Sequence, residues 1–362
     1  MKILFWGTPA YAVPSLEALV AAGHQLVGVV TQPDRRRGRG SALVPSPVKE
    51  RAMALGLSVV TPQRIRREPD LQDLLATWGA DLSVVVAFGQ ILPPAVLAQP
   101  PLGCWNGHAS LLPRWRGAAP IQWSLIDGDS QTGVGIMAME AGLDTGPVLL
   151  ERRLTIGLLE NARQLTGRLS QLTAELLVEA MPLIERAGPG PEQERLRRLG
   201  VWHQPETTPH YARLLSKQDF EIDWSAQALP LHRRVMGLFP GAWCRWQGQR
   251  LKLLATEPLV ARLGEQLSAP AAKLAQAWSV RAPGTPCSAH SGPAEPGTIL
   301  EIVPELGLVV ATGGCPLLIC EAQLEGKSAS KRQGLIQQLG ASVGDRFGGG
   351  QPGPARQESH TD

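Results

Sequence analysis

Short apolar runs rich in β-branched residues alternate with amphipathic stretches through the first half of the chain, and this alternation constrains the fold most. Residues 3–6, 26–30, 82–88 and 134–139 read as strands. Between them, 14–22, 46–55, 71–78 and 119–126 have helical spacing. Strands apolar on both faces and separated by helices predict an α/β domain, doubly wound, with a mostly parallel sheet. Ligands of such sheets bind beyond the carboxyl ends of the strands. Gly7, Gly89, the stretch after Cys104 and the Asp144 loop are therefore expected to gather there.

A longer helix follows. Leu165, Leu169, Leu172, Leu176, Ala180 and Leu183 recur at helical spacing, and Pro182 is expected to bend or end it. The run 187–191, Ala-Gly-Pro-Gly-Pro, breaks regular structure, so the first domain is placed at 1–187 and a linker at 188–206. The second half has another texture, with strands expected at 243–246, 250–254, 298–303, 307–311 and 316–322 between Gly-rich turns. That pattern suits a small β-barrel or sandwich over 207–345. An Ala/Pro/Ser-rich insertion at about 260–296 reads as an extended surface loop, and 346–362 as a disordered tail.

Bulk properties agree with two domains and exclude several classes. The 362 residues exceed what one core usually serves, and 43% hydrophobic with 19% charged residues is ordinary for a globular chain. A net charge of +3 announces no nucleic-acid binder, so any basic site has to come from local clustering. Five scattered cysteines are unlike a disulfide framework and fit a reducing compartment. The apolar start stops at Gly7-Thr8-Pro9, too short for a signal peptide, and no run has the length of a membrane span. The expectation is a cytoplasmic protein without a membrane partner.

Two generic motifs fail. Gly133-x-Gly135-x-x-Ala138 has the letters of a dinucleotide fingerprint but falls inside a strand, where no helix N-terminus can face a pyrophosphate. Zinc-type cysteine pairing is missing, and Cys104 with His108 is too little for a metal site. The chemistry gathers instead at 103–113 and 142–146. Asn106 and His108, two apart on a short strand, point to one face. Asp144 adds a carboxylate on a glycine-flanked loop. Amide, imidazole and carboxylate suit attack of an amine on a carbonyl: Asn106 or an imidazolium can stabilise the oxyanion, and Asp144 can favour that imidazolium or order a water. A hydrogen-bonded structural pair beside an ordinary turn has the same local signature.

A near-continuous set of motifs separates the two. The run 106–123 (NGHASLLPRWRGAAPIQW) and Gly142-Leu143-Asp144-Thr145-Gly146 resemble the methionyl-tRNA formyltransferase family. So do Gly7-Thr8-Pro9, 31–35 (TQPDR), 38–40 (GRG), 45–49 (PSPVK) and 88–93 (FGQILP); the likeness thins beyond 222–225. The resemblance implies a Rossmann-like formyltransferase domain followed by a smaller OB-like β-barrel. It implies transfer of formyl from 10-formyltetrahydrofolate, as cosubstrate and without a metal, to the α-amine of methionyl initiator tRNA. Asn106, His108 and Asp144 take the family's catalytic places, and Ser110, Leu111, Leu112, Pro113, Gln90, Ile91 and Leu92 fall where its folate pocket is lined. A small-amine formyltransferase, acting on a glycinamide nucleotide or an amino-sugar nucleotide, would keep the same trio. A non-catalytic RNA-binding relative is the other alternative.

Arg35, Arg36, Arg37, Arg39 and Lys49 crowd the segment after the second strand, with Gly38 and Gly40 between them. A cationic loop of this kind can follow tRNA phosphates, with Arg39 the leading candidate by resemblance. A monomer suits an enzyme that embraces one tRNA. Three departures from the family pattern stand out, one being a segment at 260–296 longer than the usual second domain has. Gly107 replaces a bulkier apolar residue and is expected to relax the catalytic strand, while Ser41 and Ala42 replace lysines after the Gly-Arg-Gly run.

Overall fold

The computed structural model describes residues 1–36, 42–205, 210–280 and 294–348. The chain divides into two compact units. Met1–Ile121, Gln131–Thr155 and Gln164–Leu214 make the first; Gln122–Ser130, Ile156–Arg163 and Leu215–Asp362 make the second.

The strands of the first unit are β1 (Lys2–Gly7), β2 (Gln25–Val30), β3 (Arg35–Arg36), β4 (Leu43–Val44), β5 (Val59–Val60), β6 (Leu82–Val86), β7 (Cys104–His108), β8 (Arg116–Gly117), β9 (Gln131–Ala138), β10 (Val148–Thr155) and β11 (Tyr211–Ala212). Seven form one sheet in the order β10-β9-β7-β6-β1-β2-β5. From β7 to β5 neighbouring strands are parallel, whereas β9 runs against both β7 and β10. The central strands are buried on both faces: Ile3, Phe5, Trp6, Val84 and Val86 are inaccessible to solvent. Between two of them the Trp6 indole N–H donates to Ser83 Oγ at 3.2 Å.

Helices α1 (Val13–Ala21), α2 (Pro47–Ala54), α3 (Pro69–Thr77) and α4 (Pro94–Leu97) connect the parallel strands, and α5 (Pro120–Asp127) follows β8. Ser46 caps α2 by accepting from the Lys49 N–H at 3.0 Å, with Pro47 at the first helical position. Helix α6 (Ala162–Ala187) continues past Pro182. Met181 and Ile184, both fully buried, hold the last turn where the proline was expected to bend or end it. The segment read as a linker carries α7 (Glu192–Leu199), which ends on Gly200 in the left-handed conformation and belongs to the first unit.

The second unit is built on β12 (Trp243–Trp246), β13 (Gln249–Pro258), β14 (Ile299–Val303), β15 (Gly307–Val310), β16 (Leu317–Leu324) and β17 (Ser330–Lys331), all antiparallel. Helices α8 (Ala228–Gly237), α9 (Ala269–Val280) and α10 (Arg332–Leu339) complete it. The insertion expected as a loop is helical where alanines raise helix propensity. Ala271 and Ala275 of α9 pack with Leu259, Leu267, Val309 and Leu318; residues 281–293 lie outside the described residues. The expected tail begins later than 346, because Phe347 is buried against Trp224 and Trp246 at 5.4 and 4.8 Å between ring centroids. Residues 349–362 lie outside the described residues. Among the described residues no helix is long and apolar enough to cross a membrane.

Candidate active site

Strand β7 has two differently used faces. Gly107 faces α6, where a Cβ on it would lie 2.5 Å from Thr173 Cγ2. Asn106 and His108, one residue to either side, turn to the opposite face. Over that face comes the loop between β9 and β10, carrying Asp144. It reaches His108, the last residue of β7, from an antiparallel strand. Strand β9 runs against β7, so its own end at Ala138 pairs with Trp105. The loop folds back to bring the carboxylate beside the other two groups.

Asp144 binds both. Its Oδ1 accepts from Asn106 Nδ2 at 3.4 Å, and its Oδ2 lies 3.6 Å from His108 Nδ1 and accepts the Gly117 N–H at 2.8 Å. His108, 6% exposed, donates through Nε2 to the Trp115 carbonyl at 3.0 Å, which fixes a proton on that nitrogen. The other ring nitrogen, Nδ1, faces the Asp144 carboxylate. Asn106 has two amide N–H bonds and gives one to Asp144; among the described residues the other has no partner and can meet an incoming oxygen.

Asp144 sits at φ +51°, uncommon for a residue other than glycine. Its conformation is held by Gln204, whose amide donates to the Asp144 carbonyl at 2.9 Å and to the Gly146 carbonyl at 2.7 Å. Gln204 Oε1 in turn accepts from Arg116 Nε at 2.9 Å, and both side chains are buried. Sequence reasoning missed this pair: Arg116 lay within a quoted run without a role, and nothing around Gln204 marks it. Trp115, also at positive φ, is kept in place by the Arg114 guanidinium 4.4 Å over its ring and by the edge of His210.

Of the residues expected at a folate pocket, some present surface and some do not. Ile91 is 66% exposed, and Leu111 and Pro113 are half-buried. Leu92 and Leu112 are core residues, and Ser110 is fully buried with its hydroxyl donating to the Arg114 carbonyl at 2.7 Å. Gln90 turns to the loop after β5, donating to Pro62 O at 3.0 Å and accepting from Ile65 N at 2.9 Å. Leu143, 54% exposed beside Asp144, is an apolar surface that sequence reading did not single out.

A cavity of about 370 Å³ opens at the carboxyl ends of β1, β2 and β6, lined by Thr8, Gln32, Arg35, Ser46, Phe88 and Gly89 among others. Its wall is hydrogen-bonded: Thr8 Oγ1 donates to Phe88 O, Gln32 Nε2 to Gly89 O at 3.0 Å, and Arg35 to Gln32 Oε1 at 2.6 Å. Of the expected basic cluster, Arg35 and Arg36 are exposed on β3. Lys49 is closed on Asp34, with both carboxylate oxygens at 2.8 Å. Arg37 and Arg39 lie outside the described residues.

A doubly wound sheet presenting amide, imidazole and carboxylate from β7 and a neighbouring loop defines a formyltransferase domain. Residues 1–181 match the family described as formyl transferase, and 214–339 its C-terminal domain. The same fold occurs in a sugar 3N-formyl transferase, WlaRD, solved in the presence of dTDP and 5-N-formyl-THF (TM-score 0.55, 13% identity, 91% of this chain and 99% of that one). It also occurs in HypX from Aquifex aeolicus in complex with tetrahydrofolic acid (TM-score 0.55, 15% identity, 95% of this chain and 48% of that one). Much nearer in sequence are methionyl-tRNA formyltransferases. That of Synechococcus sp. (strain RCC307) is 68% identical over 342 residues, 94% of this chain and 100% of the relative. That of Prochlorococcus marinus (strain MIT 9313) is 58% identical over 350 residues, 96% of this chain and 99% of the relative. The chain belongs to the methionyl-tRNA formyltransferase family.

Proposed function

We propose that this protein transfers the formyl group of 10-formyltetrahydrofolate to the α-amino group of methionyl initiator tRNA, in the cytoplasm. The observation that carries the reading is the convergence of Asn106, His108 and Asp144 on one face of β7, in a chain 68% identical to an enzyme of that name. The folate supplies a formyl group activated by its attachment to nitrogen. Ile91 and Leu143, exposed on loops of the first unit, are surfaces that a flat pteridine covers favourably.

Asn106, His108 and Asp144 are the catalytic residues in this reading. As the amine nitrogen bonds to the formyl carbon, negative charge develops on the formyl oxygen. The free N–H of Asn106 is a fixed donor for it, and His108 protonated on Nδ1 adds positive charge nearby. Asp144, held by Gly117 and Gln204, keeps both groups oriented and offers a carboxylate to a water that takes the amine proton. The old carbon–nitrogen bond breaks and the leaving folate nitrogen takes up a proton, so the exchange is balanced. Ile91, Leu111 and Pro113 present the folate side, backed by Leu92, Leu112 and Ser110 in the core, while Arg35, Arg36, Arg37, Arg39 and Lys49 are assigned to the tRNA side, with Lys49 acting through Asp34. The protein works as a monomer.

The test is purified protein with 10-formyltetrahydrofolate labelled in the formyl carbon and charged initiator tRNA. Label is expected in formylmethionine released from the tRNA. Label only in free formate, or in an added amino-sugar nucleotide, overturns the reading.

A further inference from the structure

Three arginines outside the expected basic segment stand on the same edge of the sheet. Arg64, Arg66 and Arg67 follow the edge strand β5, alternate with or follow the buried Ile65, and are all exposed. Strand β5 is parallel to β2, with Val30 opposite Val60, so this turn leaves the sheet at the same end as Arg35 and Arg36.

The turn is fastened. Gln90 donates to Pro62 O and accepts from Ile65 N, and Gln72 Nε2 donates to Ile65 O at 2.7 Å. The Glu68 carboxylate accepts the Arg64 backbone N–H at 2.7 Å. Among the described residues none of the three guanidinium groups is in an ion pair, although Glu68, Asp70 and Asp73 are near in sequence. A hydrogen-bond chain also joins the two basic segments: Arg35 donates to Gln32, Gln32 to Gly89, and the next residue, Gln90, holds the 62–65 backbone. A fixed backbone presenting unpaired guanidinium groups lowers the ordering cost of binding an anionic polymer.

We propose that Arg64, Arg66 and Arg67 form a second phosphate-binding cluster, continuous with Arg35 and Arg36, that holds the tRNA backbone; the inference rests on the proposed function. Strand spacing sets the place of contact. Four strand steps from β7 to β5 put the cluster roughly 19 Å from the catalytic residues. The arginines are therefore placed to meet phosphates inward of the reacting 3′ end and not the end itself. Gln90, expected at a folate pocket, acts here as the residue that positions the cluster.

The experiment measures binding of deacylated initiator tRNA to the full chain over a series of salt concentrations. The parent is compared with Arg64→Gln/Arg66→Gln/Arg67→Gln and with a control triple, Arg153→Gln/Arg168→Gln/Arg197→Gln, that removes the same charge from exposed positions elsewhere. Three lost phosphate contacts make the slope of log K against log salt shallower by about 2 to 3, and binding at low salt is expected to weaken at least tenfold. The control is expected to keep the parental slope. A cluster variant with the parental slope, or a control that loses as much slope as the cluster variant, overturns the proposal. Formyl transfer by the parent is assayed separately. Its absence refutes the enzymatic reading while the binding comparison still decides the cluster.

Discussion

Replacing Gly107 by alanine tests how β7, which carries Asn106 and His108, is positioned. The new Cβ would lie 2.5 Å from Thr173 Cγ2, and 3.8 Å from Ile136 Cδ1 and Val86 Cγ2. Ordinary carbon contacts are about 3.5–4.0 Å, so roughly 1 Å has to be found between β7 and α6. Thr173 is poorly placed to yield. It is fully buried, its hydroxyl donates to Leu169 O at 2.7 Å, and it lies 2.6 Å from the Tyr11 hydroxyl. Rotating its branched Cβ breaks that arrangement. The strand is the softer partner, and its movement carries Asn106 and His108 toward the Asp144 loop.

Overpacking of this kind costs about 1–3 kcal/mol, and a misplacement near 1 Å is worth on the order of a hundredfold in rate. Gly107→Ala is therefore expected to lower the melting temperature by several degrees and kcat by about tenfold to a hundredfold. Labelled formyl transfer at saturating substrates, with thermal unfolding alongside, measures both. Thr173→Ser removes the offending methyl and keeps the hydroxyl, so the double variant is expected to regain most of the lost rate and stability. Parental turnover and melting in Gly107→Ala, or a double variant no better than the single, refutes this reasoning.

Asn106→Ala and His108→Ala are each expected to lower kcat by at least about a hundredfold, the usual effect of losing an oxyanion donor; near-parental turnover in either would reassign the site. Gln204→Ala leaves Asp144 O, Gly146 O and Arg116 Nε without their partner, a loss of about 1–3 kcal/mol with a reduced kcat. Gln204→Glu can still accept from Arg116 but cannot donate to the two carbonyls. If it restores turnover, Gln204 does not hold the Asp144 loop. In the second unit, burial lowers the His232 pKa to about 4, with contacts at 3.0 Å to Thr256 Oγ1 and 2.8 Å to Leu158 O. Unfolded chains protonate histidine near 6.5, so between pH 6.5 and 4 the unfolded state binds more protons. Its contribution is intact above about 6.5 and falls by up to about 3 kcal/mol toward pH 4. Denaturant unfolding across that range should lose much of this slope in His232→Gln; an unchanged slope excludes His232 as its source.

The legible parts of the chain were those where local pattern and tertiary role agree. Strands β1, β2 and β6 are apolar because they are central, and they were read close to their true limits. Strand β10 escaped because it lies at an edge and carries Glu151, Arg152 and Arg153, with both arginines exposed, the usual composition of an edge that must not pair further. Its partner β9 was legible, but not its direction. The Asp144 loop therefore reaches the carboxyl end of β7 by folding back from the opposite end of β9, a path that local pattern does not encode. Helix α9 was hidden by the alanines that form it, since alanine beside proline and serine looks like a linker until a core is available to pack against.

Gly107 sharpens the same lesson. Read alone, a glycine between two catalytic residues implies a looser strand, because it lacks a Cβ. In the fold it is buried, with its neighbour Asn106 paired to Val85 on one side and Gly107 itself to Ile136 on the other, and it faces a threonine that fills the space a side chain would take. Its smallness gives close approach to α6, and that approach constrains β7. The trio is thus held from both faces: Thr173 and Tyr11 stand behind β7, while Gln204 and the Gly117 N–H fix the carboxylate in front. In the proposed reaction, alignment of the trio would draw on positions 11, 173 and 204 as well, and none of those supports is near the trio in sequence.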